Sequence, residues 1–375
     1  MATTTLSEIF KEFKDPRMAR AQRHPLINMI TMAICSVICG ADNFVTMAEF
    51  GRSKKKWFET FLGMPNGVPS HDTFNDVINR LDESAFVKCL TQWIKQLAVK
   101  DENIIALDGK VLRRTLGKIN DSKAVWLVNA WSVANNMCFG QVQVDDKSNE
   151  ITAIPKLLEM LDIKGATITI DAMGCQTEIG EKVIEQGGHF LLALKGNQGE
   201  FHQDVSLYLD ALIDNPSNQT LDYFESVNGD HGRIETRKIW LTTGIDWLLQ
   251  RHPRWNNVKG IVVAGSILMI GSEHSVERRY YITSHFDKDA EFIGSGIRDH
   301  WYVENKLHWQ LDVSFNEEQC RLRSGNAAAN FSFLNKMALN LLKNEKTAKM
   351  GIKSKRLKAG WDEKYMMKVL TVGLS

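Results

Sequence analysis

Residues 103–108 read NIIALD, a short apolar run that ends in a carboxylate. Residues 166–171 read ATITID and end in the same way. An unpaired carboxylate is costly to bury, so Asp108 and Asp171 are poor core residues. Taken singly, each could be an ordinary turn or cap residue. Together they predict two strands that pair side by side and end in carboxylates.

A third carboxylate, Glu304, lies far downstream in residues 300–305, which read HWYVEN and predict an aromatic-rich helix. Alone it could be a surface charge. Three carboxylates brought together would repel one another unless cations lay between them, and hard cations prefer oxygen ligands. Two such ions about 3.5–4 Å apart can stabilise both the attacking and the leaving oxygen of a phosphoryl transfer. The sequence therefore predicts Asp108, Asp171 and Glu304 as catalytic ligands of two Mg²⁺ or Mn²⁺ ions.

The composition is that of a globular protein with two or three domains. The chain has 375 residues, of which 43% are apolar and 24% charged, and its net charge is only +1. Basic residues nevertheless cluster within residues 11–23, 52–56 and 343–368. Such patches can neutralise phosphates while acids elsewhere cancel the sum, although solvated helix faces would look the same.

Cysteine usage and hydropathy predict a soluble, cytoplasmic protein with no membrane partner. The 6 cysteines show no paired metal-ligand spacing, which argues against structural zinc and fits reduced thiols. The N-terminus has no apolar signal core. The longest apolar run, Leu26–Cys39, is too short to span a bilayer.

The hydrophobic period changes along the chain and predicts five regions. They are a helical domain at residues 1–100, the first part of a catalytic core at 101–199, a β-rich insertion at 200–287, the last part of the core at 288–345 and a basic C-terminal tail at 346–375. The short helices, tight turns and basic residues of 1–100 predict a DNA-binding domain, although simple helical packing would give the same pattern. Within 101–199 the order is three strands, helix, strand, helix, strand. That order predicts an α/β fold with a ribonuclease-H-like mixed sheet flanked by helices.

Several short segments, in a consistent order from about residue 10 to residue 345, carry a specific family resemblance. The segments are PSHDTF (69–74), DGKVLR (108–113), KSNEITAIP (147–155), IDAMGCQ (170–176), KGNQ (195–198) and HWYVENKLHW (300–309). Together they resemble the H-repeat-associated insertion-sequence transposases of Rhs elements, which are DDE transposases. The resemblance implies metal-dependent DNA cleavage at transposon ends, followed by strand transfer.

The same resemblance implies that the partners are double-stranded DNA with terminal inverted repeats, target DNA and a second copy of the chain in a synaptic complex. It implies a cytoplasmic protein associated with the bacterial nucleoid. Many DDE enzymes carry Tyr, Arg and Lys around the glutamate, where this chain has Ile297, His300 and Leu311. Phosphate contacts must then come from other cations. The candidate DNA-binding residues are Lys110, Arg113, Lys195, Arg233, Arg237, Arg298, Lys306 and His308.

Two alternatives remain open from the sequence. The chain could be a catalytically inactive or domesticated DNA-binding relative that keeps the fold. It could also be a structure-selective nuclease that cuts DNA without strand transfer. The presence of all three acids argues against a decayed site.

Overall fold

The computed structural model describes residues 6–96, 98, 104–116, 123–145, 149–214, 221–230, 233–270 and 273–372. The strands are β1 Ile104–Leu112, β2 Val125–Ser132, β3 Met137–Gln143, β4 Thr167–Ile170, β5 His189–Leu194, β6 Asp222–Asp230, β7 Arg233–Thr242, β8 Gly260–Ile270 and β9 Glu273–Thr283. The α-helices are α1 Leu6–Ile9, α2 Leu26–Ile38, α3 Phe44–Ser53, α4 Lys55–Phe58, α5 His71–Arg80, α6 Glu83–Lys95, α7 Glu150–Glu159, α8 Thr177–Glu185, α9 Glu200–Asp214, α10 Asp246–Arg251, α11 Ala290–His300, α12 Trp309–Phe315, α13 Ala327–Asn344, α14 Ile352–Trp361 and α15 Glu363–Leu370.

The chain forms two compact units. The first comprises Met1–Asp101, Gly109–Asn149 and Glu304–Ser375, and the second comprises Glu102–Asp108 and Glu150–Val303. The division between the two units falls inside β1, between Asp108 and Gly109. The predicted five-part division into domains stays a prediction.

One mixed sheet confirms the predicted α/β fold class. The strand order is β3-β2-β1-β4-β5-β9-β8-β7-β6. Strands β1, β4 and β5 pair in parallel. Strand β5 then pairs antiparallel with β9, and β9, β8, β7 and β6 follow one another in antiparallel pairs. The order of the first five strands, 3-2-1-4-5, agrees with the predicted ribonuclease-H-like core. The hairpins β6–β7 and β8–β9 are the predicted β-rich insertion, and they extend the same sheet.

In the second unit, α11 buries its apolar face against the sheet. Ile293 and Ile297 of the helix share a buried cluster with Leu191 and Ile239 of the strands. Gly296 allows this close approach, because a Cβ there would lie 3.0 Å from Leu191 Cδ2. The helix that leads toward Glu304 is therefore fixed by apolar burial, which contributes roughly 25 cal/mol per Å².

In the first unit, α13 is the central element. Its residues from Ala327 to Leu342 are all buried, which is the pattern of a helix surrounded by protein. Ala328 and Ala329 are small enough for the helix to lie against Leu112 and Leu127 of β1 and β2. The predicted helical character of the N-terminal region is confirmed by α1 to α6.

Local sequence signals explain two features of the first unit. Ser70 begins α5 as its N-cap, with the Thr73 amide donating to Ser70 Oγ at 3.2 Å. The turn that contains Asn135 and Asn136 joins β2 to β3, and Asn136 has a φ of 56°, a left-handed value that asparagine tolerates.

Helix α7 starts at Glu150 and contains Pro155. Helix α12 ends at Phe315, and the following residue, Asn316, has a φ of 58°, in the left-handed conformation. Asp312 is therefore a helical residue whose side chain can point into the fold.

Among the described residues, no helix combines the length and the apolar character needed to cross a bilayer.

Candidate active site

Asp108 and Asp171 follow directly after a pair of residues aligned across parallel strands. Leu107 of β1 is the register partner of Ile170 of β4. The next residue of each strand is one of the two aspartates. Because both strands run in the same direction, Asp108 and Asp171 occupy neighbouring positions along them. The predicted pairing of the two segments is confirmed, but the prediction that Asp108 ends its strand is wrong, because β1 continues to Leu112.

The Asp171 side chain organises the turn that follows β4. Its Oδ1 accepts hydrogen bonds from the amides of Met173, at 3.1 Å, and Gly174, at 3.3 Å. A Cβ on Gly174 would overlap Ile170 Cγ2 and lie 2.9 Å from Ile154 Cδ1. Glycine is therefore required for the turn to fold this tightly against the sheet. The second carboxylate oxygen stays available at an exposed position.

The KGNQ segment after β5 holds the same turn from the other side. Asn197 Nδ2 donates to the Ala172 carbonyl at 2.8 Å, and Gln198 Nε2 donates to the Cys175 carbonyl at 2.6 Å. These two amides fix the backbone on either side of Met173. Hydrogen bonding between side chain and backbone explains the polar character of the segment.

Glu304 and His308 lie in a π-helical turn, Val303–His308, rather than in the α-helix predicted from the sequence. His308 Nδ1 lies 3.0 Å from Glu304 Oε2. The Lys306 carbonyl inside the turn accepts a hydrogen bond from Lys343 Nζ at 2.6 Å. Wider turns of this kind recur at functional sites, because they redirect side chains that an α-helix would space differently.

His308 is buried, with 5% of its surface exposed. Its Nε2 lies 3.4 Å from the side-chain amide nitrogen of Asn129. An amide nitrogen can only donate, so this contact favours a neutral imidazole that accepts at Nε2 and donates its Nδ1–H to Glu304. Burial lowers the pKa of His308, and the nearby Lys110 lowers it further, against the opposing influence of Glu304.

The Glu304 carboxylate is chemically suited to Mg²⁺ or Mn²⁺. His308 holds this carboxylate through its Nδ1–H, so the histidine, predicted as a DNA contact, orients the acid instead. Asp108 lies in β1 and Asp171 directly follows β4, both in the second unit. The assignment of Asp108, Asp171 and Glu304 to one metal site stays a prediction.

Lys110, which lies two residues after Asp108 on β1, is buried in a charged network. Its Nζ lies 2.5 Å from Asp312 Oδ1 and 3.3 Å from Glu317 Oε2, and it donates to the His308 carbonyl at 3.2 Å. Only 9% of Lys110 is exposed. A buried ammonium with two carboxylate neighbours is neutralised locally, which leaves little of its charge for a phosphate.

The network continues behind Lys110 through Glu317 and Lys336. Glu317 Oε1 accepts from Ser332 Oγ at 2.8 Å, and Lys336 Nζ donates to Ser332 Oγ at 2.7 Å and to Gln141 Oε1 at 2.8 Å. Burial acts to raise the pKa of Glu317, but Lys336 and Lys110 outweigh it and hold that pKa below its ordinary value. Burial lowers the pKa of Lys336. The backbone beside Glu304 and His308 is therefore braced by paired charges.

The other predicted DNA contacts divide by exposure. Arg113, Lys195, Arg298 and Lys306 have exposed side chains. Arg237 is partly buried and pairs with Glu235 at 2.6 Å. Arg233 begins β7, but its side chain lies outside the described residues, as do residues 147 and 148 of the predicted motif and residues 231 and 232. Four cations therefore remain accessible to a polyanion.

Comparisons with known proteins identify the family of the chain. A family model described as "Transposase DDE domain" matches residues 100–341, and a second, described as "DDE_Tnp_1-associated", matches residues 7–94. A cryo-EM structure of the piggyBac transposase synaptic complex with hairpin DNA shows 10% identity and a TM-score of 0.43, covering 98% of this chain and 75% of that one, a likeness too weak to bear on function.

Relatives match almost the full length of the chain. The "H repeat-associated putative transposase YhhI" of Escherichia coli K12 is 38% identical over 99% of this chain and 98% of its own. The "Putative transposase YncI" of Escherichia coli O157:H7 is 37% identical over 99% of this chain and 95% of its own. With a transposase family model over residues 100–341 and relatives of this similarity, the chain belongs to the DDE transposase family, in its H-repeat-associated group.

Proposed function

We propose that the chain is an active DDE transposase that cuts DNA at transposon ends and joins the ends to target DNA. The observation that carries the proposal is the parallel register of β1 and β4, in which Asp108 and Asp171 directly follow the aligned residues Leu107 and Ile170. Glu304, held by His308 Nδ1 at 3.0 Å, supplies the third acid. Asp108, Asp171 and Glu304 are proposed as the catalytic ligands of two Mg²⁺ or Mn²⁺ ions.

The protein groups have separate tasks in this proposal. Asp108 projects from within β1, and Asp171 directly follows β4. Glu304 projects from the π-helical turn, and His308 orients its carboxylate by donating Nδ1–H. Bound divalent ions would supply an activated oxygen nucleophile and stabilise the charge that develops on the leaving oxygen.

The reaction conserves the number of phosphodiester bonds in its second step. In the first step, water attacks a phosphodiester at the transposon end and releases a 3′-hydroxyl and a 5′-phosphate. In the second, that 3′-hydroxyl attacks a phosphodiester of target DNA, so one bond forms as another breaks. Strand transfer therefore needs no high-energy cofactor.

The proposed DNA contacts are the exposed cations Arg113, Lys195, Arg298 and Lys306. Each can neutralise a phosphate of the terminal inverted repeats or of the target. Transposition joins two ends, so a homodimer in a synaptic complex is the proposed assembly. An enzyme with this substrate would work on the bacterial nucleoid in the cytoplasm.

The decisive experiment uses DNA that carries the inverted repeats flanking the coding region. We expect nicking at the repeat ends only with Mg²⁺ or Mn²⁺, and joining of a precut end to plasmid DNA. Cleavage without joining would indicate a nuclease. Specific binding with neither reaction would indicate a non-catalytic relative.

A further inference from the structure

The last two helices, α14 and α15, lie beyond residues 7–94 and 100–341, to which the family models match. This segment is strongly basic. Its cations are Lys346, Lys349, Lys353, Lys355, Arg356, Lys358, Lys364 and Lys368. Its acids over the same span are Asp362 and Glu363. Some of these cations form hydrogen bonds that hold the fold together, and others are exposed.

Two of the cations are structural. Lys355 Nζ donates to the carbonyls of Leu342, at 2.8 Å, and Glu345, at the C-terminal end of α13. Arg356 donates to the Val37 carbonyl at 2.7 Å and to the next carbonyl of α2 at 3.3 Å. Cations at helix C-termini satisfy carbonyls that have no partner within the helix and match the helix dipole. These residues therefore attach the segment to two other helices.

Both acids are also used within the fold. Asp362 Oδ1 accepts from the Tyr365 amide at 3.1 Å and begins α15 as its N-cap. Glu363 Oε1 lies 3.0 Å from Lys54 Nζ. Neither carboxylate is left to balance the remaining lysines.

Five lysines of the segment are exposed and have no ion pair among the described residues: Lys346, Lys349, Lys353, Lys364 and Lys368. Lys346 Nζ donates to the Lys343 carbonyl at 2.6 Å, which leaves the other four. Lys364 and Lys368 are four apart on α15 and so share one helix face. On α14, Leu357 and Trp361 follow Lys353 at the same spacing, with 47% and 77% of their surface exposed. The exposed faces thus combine unpaired cations with apolar side chains.

A second basic cluster lies beside this segment. The ion pair between Lys54 and Glu363 links the first turn of α15 to the chain immediately before α4. Lys56 on α4 is exposed. Arg356 holds α14 against the end of α2 in the same unit. Two basic clusters that are about 300 residues apart in sequence therefore adjoin, as the separation of 309 residues between the paired side chains shows.

We propose that Lys349, Lys353, Lys364 and Lys368, together with Lys56, form a C-terminal basic surface that binds the sugar–phosphate backbone of duplex DNA without regard to sequence. The inference rests on the proposed function, because it assigns a further contact to the same substrate. Unpaired cations on rigid helices are pre-positioned for a polyanion, and their mutual repulsion is relieved when phosphates neutralise them. Leu357 and Trp361 provide apolar area for the sugars.

The test measures the salt dependence of binding to a 30-base-pair duplex of random sequence by fluorescence anisotropy, with full-length protein and EDTA so that cleavage does not interfere. The variant is Lys353→Gln/Lys368→Gln. The control is Lys164→Gln/Lys259→Gln, which removes the same charge from exposed lysines of the other unit. Since each lost phosphate contact lowers the slope of log K against log salt by about 0.9, we expect the variant's slope to be shallower by about 1.8.

A variant slope equal to that of the wild type would overturn the inference while leaving the proposed function intact. Absence of duplex binding by the wild type would overturn both. Unchanged DNA binding with lost binding to phosphatidylserine vesicles would assign the surface to a membrane and would also overturn the inference. All four replaced lysines are exposed, so the variants should melt at the wild-type temperature.

Discussion

His308 Nδ1 lies 3.0 Å from Glu304 Oε2, and the histidine is almost completely buried while the glutamate is exposed. A buried group that holds an exposed carboxylate acts as its anchor. The Asn129 side chain, 3.4 Å from Nε2, fixes the ring in the tautomer that donates to Glu304. This pairing resembles the second-sphere hydrogen bonds that orient metal-binding carboxylates in other proteins.

The pairing predicts that His308→Leu weakens both metal binding and cleavage. Loss of an orienting partner typically costs about 10–100-fold in metal affinity or activity. His308→Asn should recover part of this loss, because its amide N–H occupies nearly the position of Nδ1–H. Isothermal titration with Mn²⁺ gives the affinity, and a DNA nicking assay gives the activity.

Equal behaviour of His308→Leu and His308→Asn would contradict the anchoring role. Both variants should be compared by thermal melting. A purely structural role would lower the melting temperature in proportion to the lost activity, whereas the anchoring role separates the two measurements.

Substitution of each proposed ligand should abolish cleavage and preserve DNA binding. Asp108→Asn, Asp171→Asn and Glu304→Gln keep the size of the side chain but remove the charge that holds a cation. We expect nicking to fall by at least about 10³-fold, the scale seen when one group of a catalytic unit is removed. Glu291→Gln, at an exposed position of α11, is the matched control. Cleavage by Asp108→Asn at the wild-type rate would refute the ligand assignment.

Gly174→Ala should displace the Asp171 turn. The new methyl group would overlap Ile170 Cγ2 and approach Ile154 Cδ1 to 2.9 Å. Overpacking of this kind costs about 1–3 kcal/mol. Gly63→Ala is the control, since no atom lies within 4 Å of its added Cβ. Urea unfolding measures the loss of stability, and a DNA nicking assay measures the effect on the Asp171 turn. If Gly174→Ala equalled Gly63→Ala in both measurements, the turn would tolerate a side chain.

The positions of Asp108 and Asp171 could be predicted because their signal is local, although β1 extends beyond Asp108 to Leu112. An apolar run that ends in a carboxylate is visible in a few residues, and parallel pairing then aligns Asp108 with Asp171. The fold class followed from the same periodicity. Neither inference needed any knowledge of distant contacts.

The surroundings of Glu304 could not be predicted, because they depend on residues far apart in sequence. The π-helical turn is held at the Lys306 carbonyl by Lys343. Lys110 looked like a DNA contact, but its partner Asp312 lies 202 residues further along the chain, and Glu317 follows five residues after Asp312. No short pattern reveals that a charged side chain will be neutralised by a partner from another element.

The buried pair Glu317 and Lys336 predicts how stability depends on pH. The pKa of Glu317 is lowered in the folded state, because Lys336 and Lys110 outweigh the effect of burial. A carboxyl with a lowered folded pKa stabilises the protein fully above its unfolded pKa of about 4.3, and this contribution is lost as the pH falls below that value.

Glu317→Gln should therefore lower the free energy of unfolding at pH 7 by about 3–5 kcal/mol, the cost of leaving a buried partner charge uncompensated. It should also flatten the loss of stability between pH 6 and pH 3. Guanidinium unfolding midpoints across this range measure both effects. The control is Glu318→Gln, the exposed neighbour, which should keep the wild-type pH profile. If Glu317→Gln and Glu318→Gln lost stability in parallel on acidification, the charge network would not be what braces the backbone beside Glu304.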